Sequence, residues 1–190
     1  MAISITGNAA ADVELENHPF SLLTAMLLDQ QFPMERAFLG PYVIVERLGG
    51  PLDPAVVAAY DPDAFAKLCT GPPAVHRYPG AMAGRIQTLA QYVLDEYDGD
   101  AARIWSDVAT ADELLRRLKA LPGYGTVKAT IFLALLGKQF GVRPEGWSRV
   151  TGGYGEVGVF RSVADVIDAD SLAKVRAYKQ EQKRAAKAGR

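Results

Sequence analysis

Leu121-Pro-Gly-Tyr-Gly125 is the segment of this 190-residue chain whose residue types and spacing point most directly to chemistry. One helical pattern ends near Ala120 and the next starts near Thr126. Two helices joined by a short glycine-rich turn form a hairpin. Gly123 and Gly125 allow positive φ and leave no Cβ in the way. The amides of the turn and of the second helix's first turn then point outward together. Such a cluster at the positive end of a helix suits an anion, and a DNA phosphate fits it. The contact positions a backbone and reads no base. The plain alternative is a tight helix–helix turn with no ligand.

Other chemistry-bearing residues are sparse. His18 and His76 have no ligand-spaced partners, so a metal site is not expected. Cys69 is the single cysteine, which excludes an internal disulfide and any four-cysteine zinc or iron–sulfur centre. Thr151-Gly-Gly-Tyr-Gly-Glu-Val-Gly158 is glycine-rich, but it follows no strand and opens no clear helix, so it is not a nucleotide fingerprint. Trp147 and Tyr154 can each stack on a base, with core or loop packing the stronger reading for both.

The elements that must position these residues read as helices. His18-Pro19, Asp53-Pro54 and Asp61-Pro62 each place a cap before a proline at the first helical position. Thr110-Ala-Asp-Glu113 is a capping box, and Ser162-Val-Ala-Asp165 is a weaker version of the same signal. Ile86, Leu89, Ala90, Val93, Leu94 and Tyr97 fall on one helical stripe, and Leu114, Leu115 and Leu118 on another. Ala129 to Leu136 is apolar on every side, which predicts a buried central helix. Val157 to Val163 can hold one short extended piece. The expected class is all-α, with about eight to ten helices.

Composition sets bounds. Hydrophobic residues make up 49% and charged residues 23%, ordinary for a globular chain. The start shows no signal-peptide pattern and no stretch is long enough to span a membrane, so a cytoplasmic protein is expected. The net charge of −1 is unusual for a nucleic-acid binder, which then has to segregate its charge. From Lys174 to Arg190 there are seven Lys/Arg against one acid, Glu181. That tail is either a solvated helix end or a phosphate-facing surface.

From about Pro19 to Val150 the chain resembles the helix–hairpin–helix DNA glycosylases of base-excision repair, the superfamily of endonuclease III, MutY and the 3-methyladenine glycosylases. Three pieces carry the resemblance, in order: Leu27-Leu-Asp-Gln-Gln31, His76-Arg-Tyr-Pro-Gly-Ala-Met-Ala-Gly-Arg85, and Leu121 to Leu136. It implies a two-lobed helical fold around a DNA-binding cleft. Residues 19–136, with the hairpin at 112–140, would form one lobe, and 1–18 with 137–190 the other. It also implies a monomer acting on double-stranded DNA, with an optional monovalent cation on the hairpin carbonyls and no other cofactor.

The resemblance assigns roles residue by residue. Leu121, Gly123, Tyr124, Gly125 and Lys128 become the hairpin's DNA-binding residues. A glycosylase must extrude its target base, and Gln31, or else Gln30, stands where the family fills the vacated space. Phe32 beside them can act as a wedge. The family's catalytic Asp lies about twenty residues after the second hairpin glycine. Here Glu145 falls at that place; a second alignment, to the methyl-CpG-binding thymine glycosylase, puts the position on Gly146 instead. Glu145 is the candidate for stabilising the developing cation or holding water. The family's nucleophilic lysine would fall on Val127, while Lys128 is rotated about 100° further and is expected to face phosphate or solvent. The implied activity is hydrolytic excision without lyase chemistry. The alternative is an inactive module that binds damaged or abasic DNA.

Overall fold

Caps and prolines start the helices much as their residue types dictate. The computed structural model describes residues 3–189. The helices are α1 Ala9–Asn17, α2 Pro19–Leu28, α3 Met34–Leu48, α4 Pro54–Ala59, α5 Pro62–Thr70 and α6 Pro79–Tyr97, then α7 Arg103–Ser106, α8 Ala111–Ala120, α9 Thr126–Gln139, α10 Trp147–Thr151 and α11 Ala169–Ala188. Short 3-10 turns occupy Gly152–Tyr154 and Val163–Asp165. The chain is all-α. There are more helices than the sequence pattern resolves because α7 and α10 are too short to show an apolar period. Among the described residues the β pairing is an isolated bridge between Thr110 and Glu145, and no strand forms over Val157 to Val163.

Asp53 accepts from the Ala55 and Val56 amides and Asp61 from that of Ala64, as their positions predict. The two capping boxes exchange rank. Thr110 accepts from the Glu113 amide, but the Glu113 carboxylate turns to Arg117 at 2.7 Å. The Ser162–Asp165 box is complete.

Two helices form the centre. Every residue of α2 from Phe20 to Leu28 is buried, and α9 buries Ala129 and the run from Phe132 to Gly137. α1 and α3 pack on α2, α4 and α5 pack on α6, and α8, α10 and the turn at Val163–Asp165 pack on α9. One apolar cluster runs from Ile3 to Val175. Trp147 belongs to it: the residue is 7% exposed, and its indole N–H donates to the Leu133 carbonyl at 3.0 Å. Burial also pushes the Cys69 thiol up to about 12, so it stays an unreactive core residue.

The segment after α10 is tied back by charge. The Lys138 ammonium on α9 donates to Asp165 Oδ1 and to the Glu156 carbonyl at 2.6 Å, and Asp165 Oδ2 accepts the Arg161 and Ser162 amides. The Asp165 side chain is only 3% exposed. Lys138→Met is therefore expected to destabilise the protein by about 3–5 kcal/mol, read from urea unfolding, because it strands a buried carboxylate. α11 then leaves this region with only Ser171 and Val175 buried and the rest of its length at the surface.

Candidate functional site

The hairpin turn is built by residues the sequence offered as contacts. Leu121 is 2% exposed and Tyr124 5%, so neither side chain is presented to DNA as expected; both support the turn, and any contact there falls to the backbone. The Tyr124 amide donates to the Leu121 carbonyl at 3.0 Å, closing the turn. The Tyr124 hydroxyl donates to the Leu23 carbonyl of α2 at 2.7 Å, and burial raises its pKa well above the ordinary phenol range.

The two glycines differ. Gly123 sits at φ +83°, and a Cβ there would stand 2.4 Å from Leu27 Cδ1. Gly125 has φ −80° and ψ 175°, an extended backbone that any residue adopts, and a Cβ there would meet no atom within 4 Å. Of the two, only Gly123 uses the positive φ that glycine allows. At Gly125 the missing side chain matters to nothing inside the protein. The residue precedes α9 with no side-chain cap, so the Thr126 and Val127 amides lack intrahelical acceptors and face outward.

Lys128 also departs from expectation. Its ammonium donates to the Met26 and Leu27 carbonyls at 2.8 and 3.0 Å, holding the last turn of α2 rather than facing solvent. Burial lowers its pKa to about 8, against the opposing pull of Asp29. Val127, 63% exposed, points from the same helix turn into open space.

That space is a cleft of about 790 Å³. One wall is the hairpin and the first turns of α9, through Gly123, Gly125, Val127, Lys128 and Ile131. The second is the end of α2 and the turn after it, from Met26 through Asp29, Gln30 and Gln31 to Glu35. The third is α11, through Arg176, Lys179, Gln180 and Lys183. Three basic residues of the tail therefore belong to a cleft wall. The spacing of Arg176, Lys179 and Lys183 at i, i+3 and i+7, which places them on one helix face, was the available signal.

Gln30 and Gln31 are both exposed and form a ridge between this cleft and a smaller one lined by His76, Tyr78 and Arg85. His76, 4% exposed, pins the ridge: its Nε2 lies 2.8 Å from the Gln30 carbonyl, while Nδ1 accepts the Tyr78 amide at 3.0 Å. Those partners put the proton on Nε2. Gln31 holds φ +54° without being glycine. Backbone strain of this kind concentrates where a side chain must be presented. Gln31→Gly is expected to leave stability equal or higher by about 1 kcal/mol in a thermal melt. Phe32 stacks between His76, 5.0 Å centroid to centroid, and the Arg36 guanidinium at 4.8 Å.

Glu145 lies elsewhere. It is exposed, and its backbone exchanges hydrogen bonds with Ala109 and Ala111 at the start of α8. The length of that ten-residue helix, about 15 Å, separates it from the hairpin turn. It is not among the residues lining the cleft. Two carboxylates line the cleft: Glu35 at the start of α3, paired with Arg176, and Asp29, which stands at the C-terminal end of α2 with its side chain 13% exposed. Burial raises its pKa; Lys179, 3.8 Å away, and Lys128 act against that, and Glu35 adds to it. The sequence signal is an acid placed between a buried, largely apolar helix and a polar turn.

Among the described residues no cluster of His, Cys, Asp and Glu could hold a metal ion, and no helix is long and apolar enough to cross a membrane. The chain matches no protein-family model, no curated protein and no solved structure.

Proposed function

We propose that this chain is a base-excision DNA glycosylase that grips duplex DNA through the Leu121–Gly125 hairpin and hydrolyses the N-glycosidic bond of an extruded base. One observation carries the reading: the uncapped start of α9, the Gln30–Gln31 ridge and the basic face of α11 open onto a single cleft. A phosphate on the α9 amides would set the register. Gln31 would enter the vacated base position, and Arg176, Lys179 and Lys183 would supply the local positive charge that a net charge of −1 conceals. A monovalent cation, if used, would take the second lone pairs of turn carbonyls such as that of Leu121. The two-lobed arrangement, residues 19–136 against 1–18 with 137–190, and monomeric action on double-stranded DNA belong to the same proposal.

Val127 at the cleft wall and Lys128 tied to α2 support hydrolysis over covalent lyase chemistry. The second reading, an inactive module for damaged or abasic DNA, is favoured by the position of Glu145 outside the cleft. The test is incubation with duplexes containing uracil, thymine opposite guanine, alkylated purines or oxidised bases, followed by alkali. Release from one of them supports the glycosylase. Tight binding of an abasic analogue with no release supports the module, and no duplex binding at all overturns both.

A further inference from the structure

We infer that Asp29 is the catalytic base of this cleft, activating the water that attacks the sugar. The inference rests on the excision reading and names the residue that performs its central step. Asp29 is the acid at the inner end of the α2 wall, beyond the Gln30–Gln31 ridge that would hold the partner base. Its carboxylate is nearly enclosed, yet it opens onto the cleft opposite Val127 and the hairpin. Its amide, not its carboxylate, bonds the Ala25 carbonyl, and the carboxylate's ion-pair partner is Lys179 at 3.8 Å.

Every neighbouring element contributes a group that tunes it. Lys179 reaches it from α11, Lys128 lies on α9, Glu35 on α3, and Arg85 on α6 acts on Lys128. The two lysines favour the ionised carboxylate that a base requires, while burial and Glu35 hold its pKa above the usual carboxylate range. That combination suits proton abstraction near neutrality better than a solvated Asp does.

The step balances. Water loses a proton to Asp29 as its oxygen bonds to the sugar C1′. The C1′–N bond breaks, and its electron pair leaves with the base, which takes a proton from solvent. Asp29 then returns its proton to solvent.

Asp29→Asn is expected to lower kcat about 10²- to 10⁴-fold, the range for removing a general base. Binding of an abasic-analogue duplex should stay within about threefold, because Asn keeps the shape of the site. The melting temperature at pH 7 should be equal or higher. The sign follows from linkage: a carboxyl whose folded pKa is raised binds its proton more tightly when folded, so ionisation costs stability as pH rises, and Asn removes that cost. In the parent protein kcat/KM should rise with pH through a limb above the ordinary Asp range. Lys179→Met should move that limb to still higher pH, a readout that stands even if Asp29→Asn does not fold.

Excision retained by Asp29→Asn, or a limb unmoved by Lys179→Met, overturns the assignment and leaves the excision reading standing. No release by the parent protein from any duplex in the panel overturns both.

Discussion

Gly125→Ala is expected to weaken binding of a short labelled duplex about 10- to 100-fold, the value of losing one or two charge-assisted hydrogen bonds to phosphate. Its stability cost should stay below about 1 kcal/mol, the difference between glycine and alanine as an N-cap. The structure supplies the reason for separating the two effects. A methyl group at Gly125 meets no protein atom within 4 Å, and the backbone there is extended. What it obstructs is the approach to the Thr126 and Val127 amides. Gly123→Ala is the contrasting case. Its φ of +83° and the 2.4 Å approach to Leu27 Cδ1 predict a loss of about 1–3 kcal/mol of folding stability, in addition to any binding defect. Anisotropy titration with a parallel thermal melt distinguishes them. Undiminished affinity in Gly125→Ala removes the α9 amides from the interface.

Neutralising the third wall is expected to have the next largest effect. The triple variant Arg176→Gln, Lys179→Gln, Lys183→Gln should reduce duplex affinity on the order of 10²-fold at moderate salt. The slope of log affinity against log salt should flatten by about 2–3, since each phosphate contact contributes roughly 0.9. All three side chains lie on a surface helix. The Arg176–Glu35 pair is half-exposed on the cation side and worth at most about 1 kcal/mol. Loss of Lys179 leaves the nearly enclosed Asp29 carboxylate without its nearest cation, so some stability loss at neutral pH is expected and a parallel melt accompanies the titration. A slope identical to that of the parent protein would mean that α11 lies outside the DNA path, and the net charge of −1 would then have no compensating surface on this face.

The helical class was legible because local chemistry and packing agree. Proline after a capping acid opens α4 and α5, and the largely apolar run from Ala129 to Leu136 becomes the buried part of α9. The hairpin turn was legible as a turn, but not in its division of labour. Sequence spacing does not say that Tyr124 and Lys128 face inward, because both are held by carbonyls of α2 about a hundred residues earlier. A count along the chain points to Glu145, but a count ignores where the chain returns: residues 141–146 fold back to the start of α8. Asp29 was in plain view beside Gln30. Its enclosure comes from α3, α9 and α11 together, so no window of local sequence reports it. The same holds for α11, whose basic residues read equally well as a solvated helix end until the fold supplies the facing wall.

The carbonyls of Leu23, Met26 and Leu27 receive the Tyr124 hydroxyl and the Lys128 ammonium, and the next residues along that same helix end are Asp29, Gln30 and Gln31. The hairpin and the Gln30–Gln31 ridge are thus fastened to one strut, which fixes the span between them. Under the proposed function such a protein would work as a fixed gauge. It would interrogate the nucleotide at one set offset from the phosphate it holds, on one strand and in one direction. Scanning would then mean releasing and re-seating the whole body, step by step, rather than sliding a flexible finger along the groove.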